Sequence, residues 1–217
     1  MPESDPEPYA EDDLERFIAG YKGHGAFISA RQIAMVTCLW DSGMRKGELA
    51  GLRIDDLAEV AEEGQKGTVL YVRLRAESVK TRAERHIRLG QRSTAAMRKY
   101  LAARAALLER KSKRRGHVKD IDWLWLSEEC DVLTPNAIYQ SLTREKKRLG
   151  IQTPRTVHAF RHTFGIEFLH NGGGEIALQT GYGHKTQAMT KKYVKSAAKE
   201  HYLQAHRLAS PVDNMKL

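Results

Sequence analysis

Residues 153–193, TPRTVHAFRHTFGIEFLHNGGGEIALQTGYGHKTQAMTKKY, decide how the rest of the chain is read. His158 and Arg161 stand three apart at the start of an expected helix, so their side chains share one face. A glycine-rich break, Gly172-Gly173-Gly174, follows. His184 comes next, and nine positions later Tyr193 sits among lysines. Two histidines, an arginine and a tyrosine in this order suit a phosphodiester, a metal or no ligand at all. Residues elsewhere must choose.

Composition narrows the choice. The chain has 217 residues, of which 41% are hydrophobic, enough to bury the core of one sizeable domain. Cys38 and Cys130 make neither a disulfide framework nor a zinc spacing, which points to a reducing compartment and a cytoplasmic setting. No apolar run is long enough for a membrane span, and the first residues lack a basic-then-apolar signal. The net charge is +9, unevenly spread. Residues 1–15 hold seven acids and no Lys or Arg, leaving 36 basic against 20 acidic residues in the remainder. An excess of this size favours a polyanion, nucleic acid before an anionic membrane surface. A lysine-rich solvated surface is the plain alternative.

Residues 1–8, acidic and proline-rich, are expected to form a disordered tail or linker. Acids at Glu11, Asp12 and Asp13 suit a first helical turn. Ala26 to Trp40 has the apolar spacing of a second helix, and Asp41-Ser42-Gly43 separates it from a third, Arg45 to Leu52. Leu70, Val72 and Leu74 then alternate with Tyr71, Arg73 and Arg75 as in a half-buried strand. Arg85 to Leu89 alternates again, so residues 76–84 form a polar hairpin connection. A long helix is expected over Ser93–Arg115, and Thr134-Pro135 opens another. Trp123, Trp125 and Leu126 are expected in the core, and a further helix over Lys195–Arg207. The expected fold class is mainly α with a small antiparallel β-sheet.

Three segments supply residues that make sense together: SGMRKGELAGL (residues 42–52), VKTRAERHIRL (79–89) and the opening stretch. Together they resemble the catalytic domain of the tyrosine recombinases, the phage integrase family, over about residues 9–195. The family's TGLR-I-x-E-L-x-x-L aligns with the first segment and puts Arg45 on the first arginine. Its lysine before E-R-x-V-P-L aligns with Lys80. Its H-x-L-R-H-T matches HAFRHT at His158 and Arg161, and its L-G-H, followed nine positions on by tyrosine, matches Gly183-His184 and Tyr193. Each motif is weak alone, but six positions in order are a strong signal. Tyr182 departs from the pattern, standing where the family usually has leucine.

The resemblance implies a tyrosine recombinase catalytic-domain fold and cleavage of DNA through a 3′-phosphotyrosyl link. Attack on a phosphodiester builds negative charge on the non-bridging oxygens. Arg45 and Arg161 suit that charge because a guanidinium is planar, always charged and can bind phosphate in a bidentate way. A tyrosine phenol is a weak nucleophile at neutral pH, and the surrounding cations would favour its reactive form at Tyr193. By resemblance, Lys80 is the general acid towards the departing 5′ oxygen, His158 the general base and His184 a phosphate hydrogen-bonding group. The phosphotyrosyl link conserves the bond energy, so no nucleotide, metal or other cofactor is expected. Arg82, Arg144, Lys146, Lys147, Lys191 and Lys192 are candidate DNA contacts.

Other residues carry structural readings. Phe160, Phe164 and Phe168 read as core, Glu48 as a brace for the turn around Arg45, and His162 and His170 as structural or exposed. The KSKRR run (residues 111–115) suits a solvated helix end or phosphate contacts equally. Gly172-Gly173-Gly174 reads as a soft turn able to loosen the His184 segment. Family members commonly carry a helical DNA-binding domain before the catalytic one, and here a short acidic segment stands in that place. An isolated catalytic domain, a truncated chain or a minimal member is therefore expected, binding DNA weakly and with steep salt dependence. Residues 196–217 are expected to dock on a neighbouring protomer in a tetramer on DNA. Competing readings are a type IB topoisomerase, a catalytically silent DNA-binding regulator and, least favoured, a metal-dependent phosphoesterase.

Overall fold

The computed structural model describes residues 8–76, 84–115, 121–153, 156–184, 186–191 and 193–194, with the side chains of 114 and 115 left out. The expected tail, Lys80 and Arg82 on the hairpin, Lys192, and the helix after Tyr193 lie outside the described residues.

The helices in chain order are α1 (Asp13–Tyr21), α2 (Ala26–Ser42), α3 (Lys46–Ala50), α4 (Gln91–Arg115), α5 (Pro135–Arg148), α6 (Thr156–His170) and α7 (Glu175–Tyr182). Among the described residues between α3 and α4 lie three strands, β1 (Leu57–Ala61), β2 (Thr68–Leu74) and β3 (Arg85–Arg88). They form one antiparallel sheet in the order β1-β2-β3, with Leu57 opposite Val72 and Val72 opposite Ile87. The mainly helical chain with a small antiparallel sheet is as expected. Strand β1 is an addition to that reading. LAEVA lacks strict alternation, and as an edge strand it buries neither face fully.

Local chemistry explains the boundaries that matter for function. Gly43 ends α2 with φ 57°, a left-handed conformation that favours glycine, and its N–H bonds the Leu39 carbonyl at 2.9 Å. The Thr134 hydroxyl caps α5 by accepting from the Ala137 N–H at 3.1 Å, with Pro135 in the first turn. Helix α6 is buried on most sides, at Val157, Ala159, Phe160, Arg161, His162 and Thr163 among others. It is therefore a central strut.

The main core packs α1, α2, α4 and the sheet around Leu39, Met35, Leu74, Tyr100 and Trp125. Trp125 is buried and donates its indole N–H to the Leu49 carbonyl at 2.8 Å, and Leu126 is also buried. Trp123 is not core: it is half-buried beneath Arg53, whose guanidinium carbon lies 5.0 Å from its ring. Tyr9 ties the chain's start to α6, its N–H bonding Thr163 Oγ1 and its hydroxyl donating to the Thr156 carbonyl, both at 2.8 Å.

A second, smaller cluster gathers Leu169, Leu178, Tyr182 and Tyr193, with Phe164 and Phe168 against it. Of the three expected core phenylalanines, Phe160 lies in the main core, while Phe164 and Phe168 pack only partly buried on this second one. The glycine run between α6 and α7 forms a turn against the end of α6. Gly172 adopts φ 88°, the Gly173 N–H bonds the Phe168 carbonyl at 2.8 Å, and a Cβ on Gly173 would fall 2.3 Å from the Phe168 ring.

Candidate active site

Arg45 begins α3, immediately after the Gly43 turn. Its N–H donates to Glu48 Oε2 and its Nη1 to Glu48 Oε1, both at 2.8 Å. Glu48 is buried and braces the turn, as the sequence suggested. It also meets a second arginine: Arg85 on β3 donates Nη2 to Glu48 Oε2 at 2.8 Å and Nε to the Gly181 carbonyl at 2.9 Å. Burial alone would raise the Glu48 pKa. The Arg45 N–H and the Arg85 charge outweigh it and hold the carboxyl below the usual glutamate value.

Arg161, on α6, is buried and makes three polar contacts. Nη1 donates to the Gly43 carbonyl at 2.8 Å, and Nη2 to the Tyr182 carbonyl at 3.1 Å and to His184 Nε2 at 3.0 Å. Burial pushes its pKa below the usual arginine value, yet an arginine stays charged. A guanidinium can only donate, so His184 Nε2 is the acceptor and the ring is neutral, with its proton on Nδ1. Nδ1 lies 2.9 Å from Thr190 Oγ1, which fixes the ring's orientation.

Tyr193 is buried against these groups in the same chain. Its ring stacks on His184 at a centroid distance of 6.2 Å, and lies 5.4 Å from Tyr182 and 5.4 Å from His162. It fits because α6 carries Gly165 at that point: a Cβ there would sit 2.7 Å from Tyr193 Cδ1. His158 is exposed one turn before Arg161, and with Arg45 and Arg161 it lines a cleft of about 310 Å³. Two guanidiniums and the His158 imidazole at the wall of one cleft suit an oxyanion such as a phosphate.

Of the proposed site residues, Arg45, His158, Arg161, His184 and Tyr193 thus converge, while Lys80 lies outside the described residues. Among the candidate DNA contacts, Arg144, Lys147 and Lys191 are exposed. Lys146 turns instead to the Thr153 carbonyl, which engages its ammonium group. In the KSKRR run, Lys111 pairs with Glu129 at 2.7 Å and Lys113 with Glu109 at 2.6 Å, so these two lysines serve local ion pairs.

Arg85 and Thr190 had no place in the sequence reading, and His162 takes the structural one of its two expected places. Arg85 shares the parity of Ile87 and Leu89, and that alternation was a usable sign that it points inward. His162, expected to be structural or exposed, is buried beside Tyr193 because α6 has almost no solvent face. Thr190 carries no local signal.

Comparison with known proteins agrees with the geometry. Residues 9–200 match the phage integrase family. The tyrosine recombinase XerC of Leptospira interrogans is 28% identical over 181 residues, covering 83% of this chain and 51% of that protein. XerD of Listeria monocytogenes is 28% identical over 198 residues, covering 90% of this chain and 61% of its own. The crystal structure of XerA recombinase superposes with a TM-score of 0.70 at 28% identity, over 94% of this chain and 65% of that one. The chain therefore spans between about half and two thirds of the length of these relatives. With its match running from residue 9 to residue 200 and its fold shared with XerA, this chain belongs to the phage integrase family of tyrosine recombinases.

Proposed function

We propose that residues 9–195 are the catalytic part of a site-specific DNA recombinase, cutting and rejoining strands through Tyr193. The observation that carries this reading is that Arg45, Arg161 and His158 line one cleft, while His184 is bonded to Arg161 and stacked on the Tyr193 ring. Residues so far apart in sequence bring two positive charges to one cleft, with an imidazole and a phenol packed behind Arg161.

In the proposed reaction the scissile phosphate lies between Arg45 and Arg161, which neutralise charge as the phosphorus becomes five-coordinate. Tyr193 Oη forms the new bond to phosphorus and passes its proton to His158. The bond from phosphorus to the 5′ oxygen breaks, and Lys80 gives that oxygen its proton. Return of the 5′-hydroxyl reverses each transfer and restores the strand. In the free protein His184 Nε2 accepts from Arg161. Donation to phosphate from that atom needs a proton there and release of the arginine, so phosphate entry and rearrangement of this bond are coupled. Exchange between two duplexes cuts four strands, which calls for a tetramer on DNA.

The test uses nicked duplexes of randomised sequence, in which cleavage frees a short oligonucleotide and prevents rejoining. In EDTA the wild-type chain is expected to form a denaturant-resistant adduct whose DNA defines the site, mapping to Tyr193 and absent in Tyr193→Phe. An adduct that persists in Tyr193→Phe, or none from folded wild type across the whole library, overturns the reading. Relaxation of supercoiled DNA at no preferred site assigns the chain to topoisomerase chemistry instead.

A further inference from the structure

Tyr182 is fully buried and bound to Arg161 in both directions. The Arg161 Nη2 donates to the Tyr182 carbonyl at 3.1 Å, while the Tyr182 hydroxyl donates to the Arg161 carbonyl. Between these bonds the guanidinium carbon lies 3.6 Å from the centroid of the Tyr182 ring. Each side chain thus grips the other residue's main chain, and the aromatic face lies against the cation.

The space for this ring is specific. A Cβ on Gly43 would fall 2.8 Å from Tyr182 Cε1, and one on Gly165 would fall 3.0 Å from its hydroxyl. Gly43 sits two residues before Arg45 and itself accepts from Arg161, so the ring occupies the junction of both arginine segments. The same ring meets His184 edge-on at 5.1 Å and Tyr193 edge-on at 5.4 Å. A leucine would supply the apolar bulk but neither the hydroxyl donor nor the π face.

We propose that Tyr182 is a positioning residue for phosphate transfer: its ring and hydroxyl set the plane and depth of the Arg161 guanidinium. The proposal rests on the recombinase reading for its consequence, but the clamp itself is a property of the folded chain. A desolvated cation–π contact and a buried hydrogen bond hold a side chain that would otherwise sample several rotamers. Misplacement at a reacting centre by about 1 Å costs about 100-fold in rate, and that is the loss expected for Tyr182→Leu.

Two measurements test it on the full chain. The first is NMR of arginine side chains, with Arg161 identified by the signal lost in Arg161→Lys. Ring-current shielding should move the Arg161 signal upfield in wild type and in Tyr182→Phe, and return it to the ordinary position in Tyr182→Leu. An unshifted Arg161 signal in wild type, or the same signal in Tyr182→Leu, overturns the clamp whether or not the chain cleaves DNA. The second is single-turnover cleavage of a duplex recovered from the adduct library, with a phosphate or a neutral methylphosphonate at the scissile position. Tyr182→Leu should lose about 100-fold on the phosphate and far less on the methylphosphonate, because the neutral group needs Arg161 less. Duplex affinity should stay unchanged. An equal loss on both substrates refutes action through Arg161. Failure of wild type to form any adduct refutes the recombinase reading, while the NMR result still decides the clamp.

Discussion

Replacing Glu48 by alanine removes the carboxylate that faces both Arg45 and Arg85. Glu48 is 1% exposed, and its partners differ in what they lose: the Arg85 side chain is 9% exposed and the Arg45 side chain 28%. Arg45 regains water more readily, so the cost falls mainly on Arg85, left as a buried charge without its counter-ion. Removing one partner of a buried pair costs about 3–5 kcal/mol, and the lost acceptor for the Arg45 N–H adds about 1 kcal/mol. Taking about 5 kcal/mol, and about 2–4 °C per kcal/mol for a chain of this size, the melting temperature should fall by roughly 10–20 °C. Glu48→Gln keeps the shape and one acceptor oxygen but not the charge, and should lie between. The pH dependence follows from the depressed folded-state pKa. The carboxylate's contribution is fully present above the ordinary glutamate value of 4.5 and is lost as pH falls through the lower folded value. Wild type and Glu48→Gln should therefore converge in acid and differ most near neutrality. Circular-dichroism melts from neutral pH down to the acid range measure both effects. A Glu48→Ala melt within about 2 °C of wild type, or a gap that does not narrow in acid, would refute the reasoning.

Three further perturbations test the geometry. Gly165→Ala places a methyl group 2.7 Å from Tyr193 Cδ1, so Tyr193 must shift; overpacking of this kind costs about 1–3 kcal/mol, and adduct formation should fall more than stability does. Chemical melts beside adduct yields separate the two. Arg85→Gln removes a charge that joins Glu48 to the Gly181 carbonyl, and should lower stability by about 3 kcal/mol while leaving nonspecific DNA affinity unchanged, as read from urea midpoints and fluorescence anisotropy. Tyr9→Phe loses the buried bond to the Thr156 carbonyl at the start of α6 and should cost about 1 kcal/mol, with normal activity at low temperature.

Much of the fold was legible because its boundaries are written in local chemistry. Thr134 and Pro135 announce α5, and the alternation through Leu70, Val72 and Leu74 announces β2. Strand β1 was not, since an edge strand with a half-exposed pattern lacks the period that marks a buried face. In the site, Arg45, His158, Arg161, His184 and Tyr193 were named because their motifs resemble those of the tyrosine recombinases; spacing alone left several uses open. The role of Arg85 escaped because it depends on what packs against it. Trp123 and Lys146 show the opposite failure: each has the right residue type for the role expected, but a neighbour, Arg53 or the Thr153 carbonyl, claims it.

The sequence by itself determined which groups are present and in what order, since charge, nucleophilicity and helix capping reside in individual side chains. Only the tertiary structure decided how they are held. Arg161 reaches the Gly43 carbonyl across 118 positions of chain, and Arg85 reaches Gly181 across 96. Tyr182 illustrates the division. In the sequence it is a departure from a motif at one apolar position. In the fold, two glycines from distant segments clear a slot for its ring, and that slot brings the aromatic face against the arginine. No local pattern encodes such a contact, because its energy exists only after α2, α6 and α7 have packed together.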